Sequence, residues 1–297
     1  MVTASAEFYD EVAAAAASVV IRRYSTSFGF ASRLLGKSIR QHVENVYALV
    51  RIADEVVDGA AAFTEGGTAA IARQLDVLES ECMRAMACGY STNLVVHAFA
   101  STARASGFGI ELTGPFFRSM RADLAPVPLT DETFKDYVYG SAEVVGLMCL
   151  KVFLIGQPDV DQQYAALAEG ARRLGAAFQK INFLRDLTAD FHELKRSYFP
   201  GIDPIHLTDS QKDALLDDID ADLGASACAI SALPASSIRA VRLAHALFTE
   251  LSLRSRNTPA KTLLLCRVRV PDRVKVRIAA SVILGSPFGK PDVRVGA

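Results

Sequence analysis

Tryptophan is absent from the 297-residue chain, and no proline occurs before Pro115. A long proline-free opening leaves helices uninterrupted and fits poorly with a sandwich of short strands, where prolines and turns recur. Cysteine is scarce. Cys82, Cys88, Cys149, Cys228 and Cys266 are odd in number and share no metal-ligand spacing, so they read as core thiols in a reducing compartment. An excess of either charge is missing too: a net charge of −1 gives little support to nucleic-acid binding. No run of about 18 strongly apolar residues occurs, so no transmembrane helix is expected. The first residues carry acids, and the apolar run over 12–21 is mild, so no signal peptide is expected. The expected location is cytoplasmic, with a peripheral contact at the inner membrane as a second reading. A P-loop signature and a strand-led glycine-rich loop are both missing, which argues against a nucleotide phosphotransferase. No Glu-x-x-His pair occurs, which argues against a di-iron bundle.

What is present favours helix. Half the residues are hydrophobic, 22% are charged, and alanine, the strongest helix former, is abundant. The pattern predicts an all-α chain forming one domain over 1–297, with its core at about 20–285. A first helix is expected over 7–24. A second should begin after Ser38 as N-cap and end at Gly59. A third covers 68–88, and "SGFG" (106–109) and "TGPF" (113–116) are expected to break the following segment. Thr130, with Thr133 one turn on, should cap a helix running over 131–155, and another long helix spans 160–194. Residues 198–206 read as irregular. Two or three further helices fill 209–285, with breaks at Pro234, Pro259 and Pro271.

The stretch "VRIADEVVDGA" (50–60) places acids inside an apolar run. A helix turns about 100° per residue, so positions three or four apart share a face. Tyr47, Arg51, Asp54 and Asp58 are spaced 4, 3 and 4 and fall on one stripe. In "GARRLGAAFQKINFLRDLTADF" (170–191), Gln179, Asn182, Asp186 and Asp190 are spaced 3, 4 and 4 and form a second, with Gly175 a turn before it. Either stripe alone could be an ordinary solvated face. Unpaired acids are rarely buried, however, and two facing Asp pairs would repel unless a cation sat between them. Oxygen-only donors point to Mg²⁺ rather than zinc or iron. Arg51 and Arg185 could meet the excess charge of a phosphate. The implied chemistry is the handling of a diphosphate on an apolar tail.

With these residues in view the chain resembles the squalene and phytoene synthase family. "YALVRIADEVVDG" matches the family's D-x-x-x-D pattern, and "NFLRDLTADF…KRSYFPG" resembles its second signature. "YSTSFGFASRLL" (24–35) resembles the N-terminal Ser-Phe element, and "YVYGSAEVVG" (137–146) the central Tyr-rich element. The four occur in the family's order over about 20–285, and the likeness is strongest to bacterial phytoene synthases of actinobacterial type. The resemblance implies an isoprenoid-synthase helical bundle around a central cavity. It implies head-to-head condensation of two geranylgeranyl diphosphates to phytoene through a cyclopropylcarbinyl diphosphate, in carotenoid biosynthesis. Asp54, Asp58, Asn182, Asp186 and Asp190 would hold Mg²⁺, with Mn²⁺ as a substitute and no NADPH. Tyr24, Ser27, Arg51, Arg185, Arg196 and Tyr198 would bind diphosphate, and Tyr47, Arg51, Tyr139 and Gln179 would serve the reacting centre. Glu143 stands where the family often has Gly, and Ala189 where it often has an acid.

Plainer readings remain open. Tyr137 and Tyr139 could be core aromatics, and Ser25 and Ser27 could cap a helix. The five histidines share no ligand spacing and read as structural. Residues 254–280 hold eight Lys/Arg against one Asp, which suits a solvated basic face or a membrane contact. Condensation of farnesyl diphosphate to squalene or dehydrosqualene, or a non-catalytic member of the family, are the alternative functions.

Overall fold

The computed structural model describes residues 2–25, 27–59, 66–124, 127–194 and 196–284; the side chains of Val2, Thr3, Ser27, Glu193 and Leu194 are not described. Thirteen α-helices and one π-helical turn account for the regular structure of these residues, with no strand among them. In chain order they are α1 (Val2–Tyr24), α2 (Ser27–Ser32), α3 (Lys37–Val57), α4 (Gly67–Cys88), α5 (Leu94–Ser106), α6 (Ile110–Ala122) and α7 (Asp131–Val138). The π turn (Tyr139–Glu143) follows, then α8 (Val144–Phe153), α9 (Val160–Leu194), α10 (Asp209–Ser231), α11 (Ile238–Arg256), α12 (Ala260–Leu263) and α13 (Asp272–Leu284).

Several boundaries follow local chemistry. Thr130 and Thr133 form the expected capping box of α7, and Thr208 with Gln211 forms another for α10. Asn93 caps α5 by accepting from the backbone N–H groups of Val95 and Val96. The long helix over 160–194 has the expected bounds. Its 35 residues make a rod of about 50 Å, packed against α7, the π turn, α8, α10 and α11. A rod covered on so many sides needs no single apolar face.

Three expectations are corrected, and one short element is added. Gly36, not Ser38, precedes α3, and it offers no side-chain cap; its N–H donates instead to the carbonyl of Ser236, 2.7 Å away. The break at "TGPF" is absent. Pro115 lies inside α6, where Gly114, Pro115, Phe116 and Phe117 are all buried, so burial outweighs the lost hydrogen bond. A short helix, α2, occupies part of the segment between α1 and α3. The helix over 131–155 is interrupted by the π turn.

That turn is wedged between two neighbours. A Cβ on Gly140 would collide with the carbonyl of Pro115 in α6, and one on Gly146 with that of Ala171 in α9. On the facing rod, a Cβ on Gly175 would come within 2.6 Å of the Ala142 carbonyl. Three glycines therefore let backbone touch backbone. The extra residue of a π turn changes which side chains face inward on either side of it. Two large apolar clusters make up most of the core. One gathers α9, α10, α11 and α13, and the other α3 to α6 with α8. All five cysteines are free. No helix among the described residues is long and apolar enough to cross a membrane.

Candidate functional site

A cavity of about 390 Å³ opens between the two acidic stripes. α3 contributes Tyr47, Arg51 and Asp54 to its wall, and α9 contributes Gly175, Gln179 and Asn182. Beyond this polar end the wall is hydrocarbon and aromatic: Phe28 and Phe178 line it, and their rings sit 5.6 Å apart, edge to face. The two stripes thus share one cavity through these residues, whereas Asp58, Asp186 and Asp190 are not on its wall.

The remaining acids gather around cations beyond the polar end, here the mouth, where Asp58 and Asp123 act on Asp54, although none of them lines the cavity itself. Arg196, almost fully buried, pairs with Asp58 at 2.5 Å and Asp123 at 3.5 Å, and donates to the Asp123 carbonyl at 2.8 Å and the Tyr198 hydroxyl at 3.2 Å. Asp186 is clasped from both sides. Arg185 donates to it at 2.6 and 3.1 Å, and Arg267, from the segment between α12 and α13, pairs with it at 2.8 and 2.9 Å. Arg51 pairs with Glu55 and lies over the Tyr24 ring, 4.5 Å from its centre.

Three carboxyl groups here are pushed up to about 7. For Asp54 the main cause is burial, opposed by Arg51 and reinforced by Asp58 and Asp123. For Asp190 it is burial, then Asp186 on its own helix and Asp58, the residue that caps the C-terminus of α3. Asp123 rises by burial against the pull of Arg196. Asp58 of the first stripe is thus among the charges that raise Asp190 of the second.

Among the described residues no group of three or more His, Cys, Asp or Glu side chains is close enough to hold a metal alone. The donors nonetheless suit a hard cation. They are oxygen atoms, and burial makes the charges of Asp54 and Asp190 costly. Mg²⁺ commonly binds through one or two carboxylates and completes its shell with water and substrate phosphate, so a cluster of three is not required.

Other expected residues fall elsewhere. Tyr139 is not on this cavity. It borders a second one beside α6 and α7, with Arg172 5.4 Å from its ring centre. Tyr137 borders that second cavity too, with Asp123, Arg196 and Tyr198: its hydroxyl donates to Asp123 at 2.8 Å and its ring stacks on Tyr198 at 5.4 Å. Tyr24 is half exposed at the rim. Ser27 opens α2, but its side chain lies outside the described residues. Ser25 takes the plainer role, its hydroxyl accepting from the Phe28 N–H at 3.0 Å. Glu143, the departure in the central element, pairs with Arg172 at 2.7 Å, and Ala189 is exposed. Four of the histidines make structural contacts: His42 with Thr102, His97 with Asp10, His206 with Asp203 and His245 with the Leu223 carbonyl. Asp123 and Arg267 escape any pattern search. One follows the last residue of α6, and the other is one arginine among many in a basic segment.

Comparison with known proteins decides the family. The profile of "Squalene/phytoene synthase" matches residues 21–252. The chain belongs to the squalene/phytoene synthase family. A 4,4'-diapophytoene synthase of Staphylococcus haemolyticus is 26% identical over 181 residues, 61% of this chain and 59% of that protein. The match thus spans well under two thirds of the relative's length. The fold is shared with a dehydrosqualene synthase solved in complex with a ligand, with a TM-score of 0.73, 21% identity, and coverage of 93% of this chain and 97% of that one. It is shared also with the squalene synthase HpnC of Alicyclobacillus acidocaldarius, with a TM-score of 0.69, 20% identity, and coverage of 84% and 94%.

Proposed function

We propose that this family member is a Mg²⁺-dependent prenyltransferase that joins two geranylgeranyl diphosphates head to head into phytoene, for carotenoid biosynthesis. The observation that carries this reading is the sharing of one cavity by Tyr47, Arg51 and Asp54 of α3 with Gln179 and Asn182 of α9, its far end being apolar. Two twenty-carbon diphosphates give one forty-carbon hydrocarbon with loss of two diphosphates and two protons. No oxidant or reductant is consumed, and no NADPH is required.

Each residue has a task. Arg51, Arg185, Arg196 and Arg267 bind diphosphate oxygens, the last two after releasing some of their hold on Asp58 and Asp186. Tyr24, Ser27 and Tyr198 complete the diphosphate site. Asp54, Asp58, Asn182, Asp186 and Asp190 provide the oxygen donors for Mg²⁺ or Mn²⁺. When bound, the metal neutralises charge developing on the leaving diphosphate. Tyr47, Gln179, Phe28 and Phe178 surround the reacting carbons, where aromatic faces favour a cation without capturing it. The apolar wall excludes water that would otherwise do so.

The length of the α9 wall, from Leu167 to Asn182, is what favours the longer substrate, since 15 steps of helix give about 22 Å of wall for isoprenoid tails. The relatives' names favour a second reading, condensation of farnesyl diphosphate to squalene or dehydrosqualene. Incubation with Mg²⁺ and each diphosphate, with the hydrocarbon identified by mass, tests both. Phytoene from the longer substrate is expected. A thirty-carbon product alone would overturn the chain length, and no product from either would overturn the activity. For the greasy product's exit, we place a membrane contact at the C-terminal surface. Leu265, Val276 and Leu284 are exposed there among Arg269, Arg273 and Arg277. Failure to float with anionic vesicles at low salt would remove it.

A further inference from the structure

We infer that Ser141 is a substrate-contacting residue of the cavity, its hydroxyl acting as a fixed dipole for positive charge on the isoprenoid. This rests on the prenyltransferase reading above and adds a residue to it.

Nine serines are buried among the described residues: Ser32, Ser91, Ser106, Ser119, Ser141, Ser226, Ser237, Ser252 and Ser255. Eight of them donate a hydrogen bond from the side chain, to a backbone carbonyl or to a carboxylate. Ser141 is the exception. It is 8% exposed, and its Oγ is buried with no partner. A helical serine ordinarily bonds back to the carbonyl four residues earlier. For Ser141 that is the carbonyl of Tyr137, which already accepts from the Ser119 hydroxyl at 3.1 Å. Ser141 also lies in the π turn, where the regular ladder is interrupted. A buried hydroxyl without a partner is costly to keep, and this one lies on the cavity wall.

Its level in the cavity is informative. The next residue, Ala142, presents its carbonyl 2.6 Å from where a Gly175 Cβ would be, and Gln179 lies one turn further along α9. Ser141 therefore marks the boundary between the diphosphate end and the hydrocarbon end. The carbons next to the leaving diphosphate, where cationic charge resides, pass this boundary. A preorganised hydroxyl with its oxygen toward that charge stabilises it at no reorganisation cost. It neither gives nor takes a proton, so no bond to Ser141 forms or breaks.

The test is Ser141→Ala, which deletes only the hydroxyl oxygen, with Ser141→Thr restoring one. For the Ala variant we expect an unchanged or higher Tm, KM within about twofold, and kcat lower by about tenfold. Diverted products, either water-captured alcohols or released cyclopropylcarbinyl diphosphate, should rise, and Thr should reverse the product shift. Greater stability with lower turnover is the signature that a merely structural serine would not give. Wild-type kcat and product ratios in the Ala variant would overturn the assignment, as would a lowered Tm with no product shift. A wild-type protein inactive on both geranylgeranyl and farnesyl diphosphate would overturn the functional reading itself and the assignment with it.

Discussion

Asp54→Asn and Asp186→Asn each lose nearly all product formation while keeping the helical content of the parent. Each substitution preserves shape and removes one negative charge. Asp54 sits in the last turn of α3 on the cavity wall, and burial has pushed its carboxyl up to about 7. A group in that state is expensive to ionise in the empty protein and is relieved by a cation, so neutralising it costs no stability. Asp186 differs, since it anchors both Arg185 and Arg267. Its amide leaves those guanidinium groups free to swing, so diphosphate binding weakens along with turnover. Loss of one preorganised charge partner commonly lowers kcat by about a hundred- to a thousand-fold. The check is the rate of hydrocarbon formation at saturating substrate, beside circular dichroism of each variant. Full activity in both would refute the metal assignment.

The two stripes were legible because helical periodicity fixes which residues share a face, and acids inside an apolar run are conspicuous. The same holds for the bounds of α9 and the capping box at Thr130. What escaped was set by contacts between elements distant in sequence. Nothing local announces that the carbonyl of Pro115 requires Gly140 against it, yet that contact helps lodge a π turn in the segment read as a continuous helix. The turn in turn decides that Tyr137 faces Asp123 while Tyr139 faces Arg172. Asp123 and Arg267 lie 63 and 81 residues from Asp186, so only tertiary structure brings them to the same mouth. Gly36 escaped for a similar reason, its N–H being satisfied by Ser236 rather than by a cap.

Arg196→Gln should unfold more easily than any other single change at the mouth. Its guanidinium is 8% exposed and lies between Asp58 and Asp123, the latter 5% exposed. Removing one partner of a buried ion pair strands the other, at a cost of about 3–5 kcal/mol. For a chain of this size that corresponds to a Tm lower by roughly 10 °C. The stranded charge itself can be tested. Adding Asp123→Asn to the Arg196→Gln protein removes it, so the double variant should recover at least half of the lost Tm. Acidity should do the same. Burial holds Asp123 near 7 even with Arg196 beside it, and without that cation its pKa rises further. A carboxyl whose folded pKa exceeds its unfolded value destabilises the fold when ionised and ceases to do so as pH falls through the folded value. The Tm deficit of the single variant should therefore shrink between pH 8 and pH 6. A deficit independent of pH and untouched by Asp123→Asn would mean that Arg196 acts through packing, leaving its charge free for the diphosphate alone.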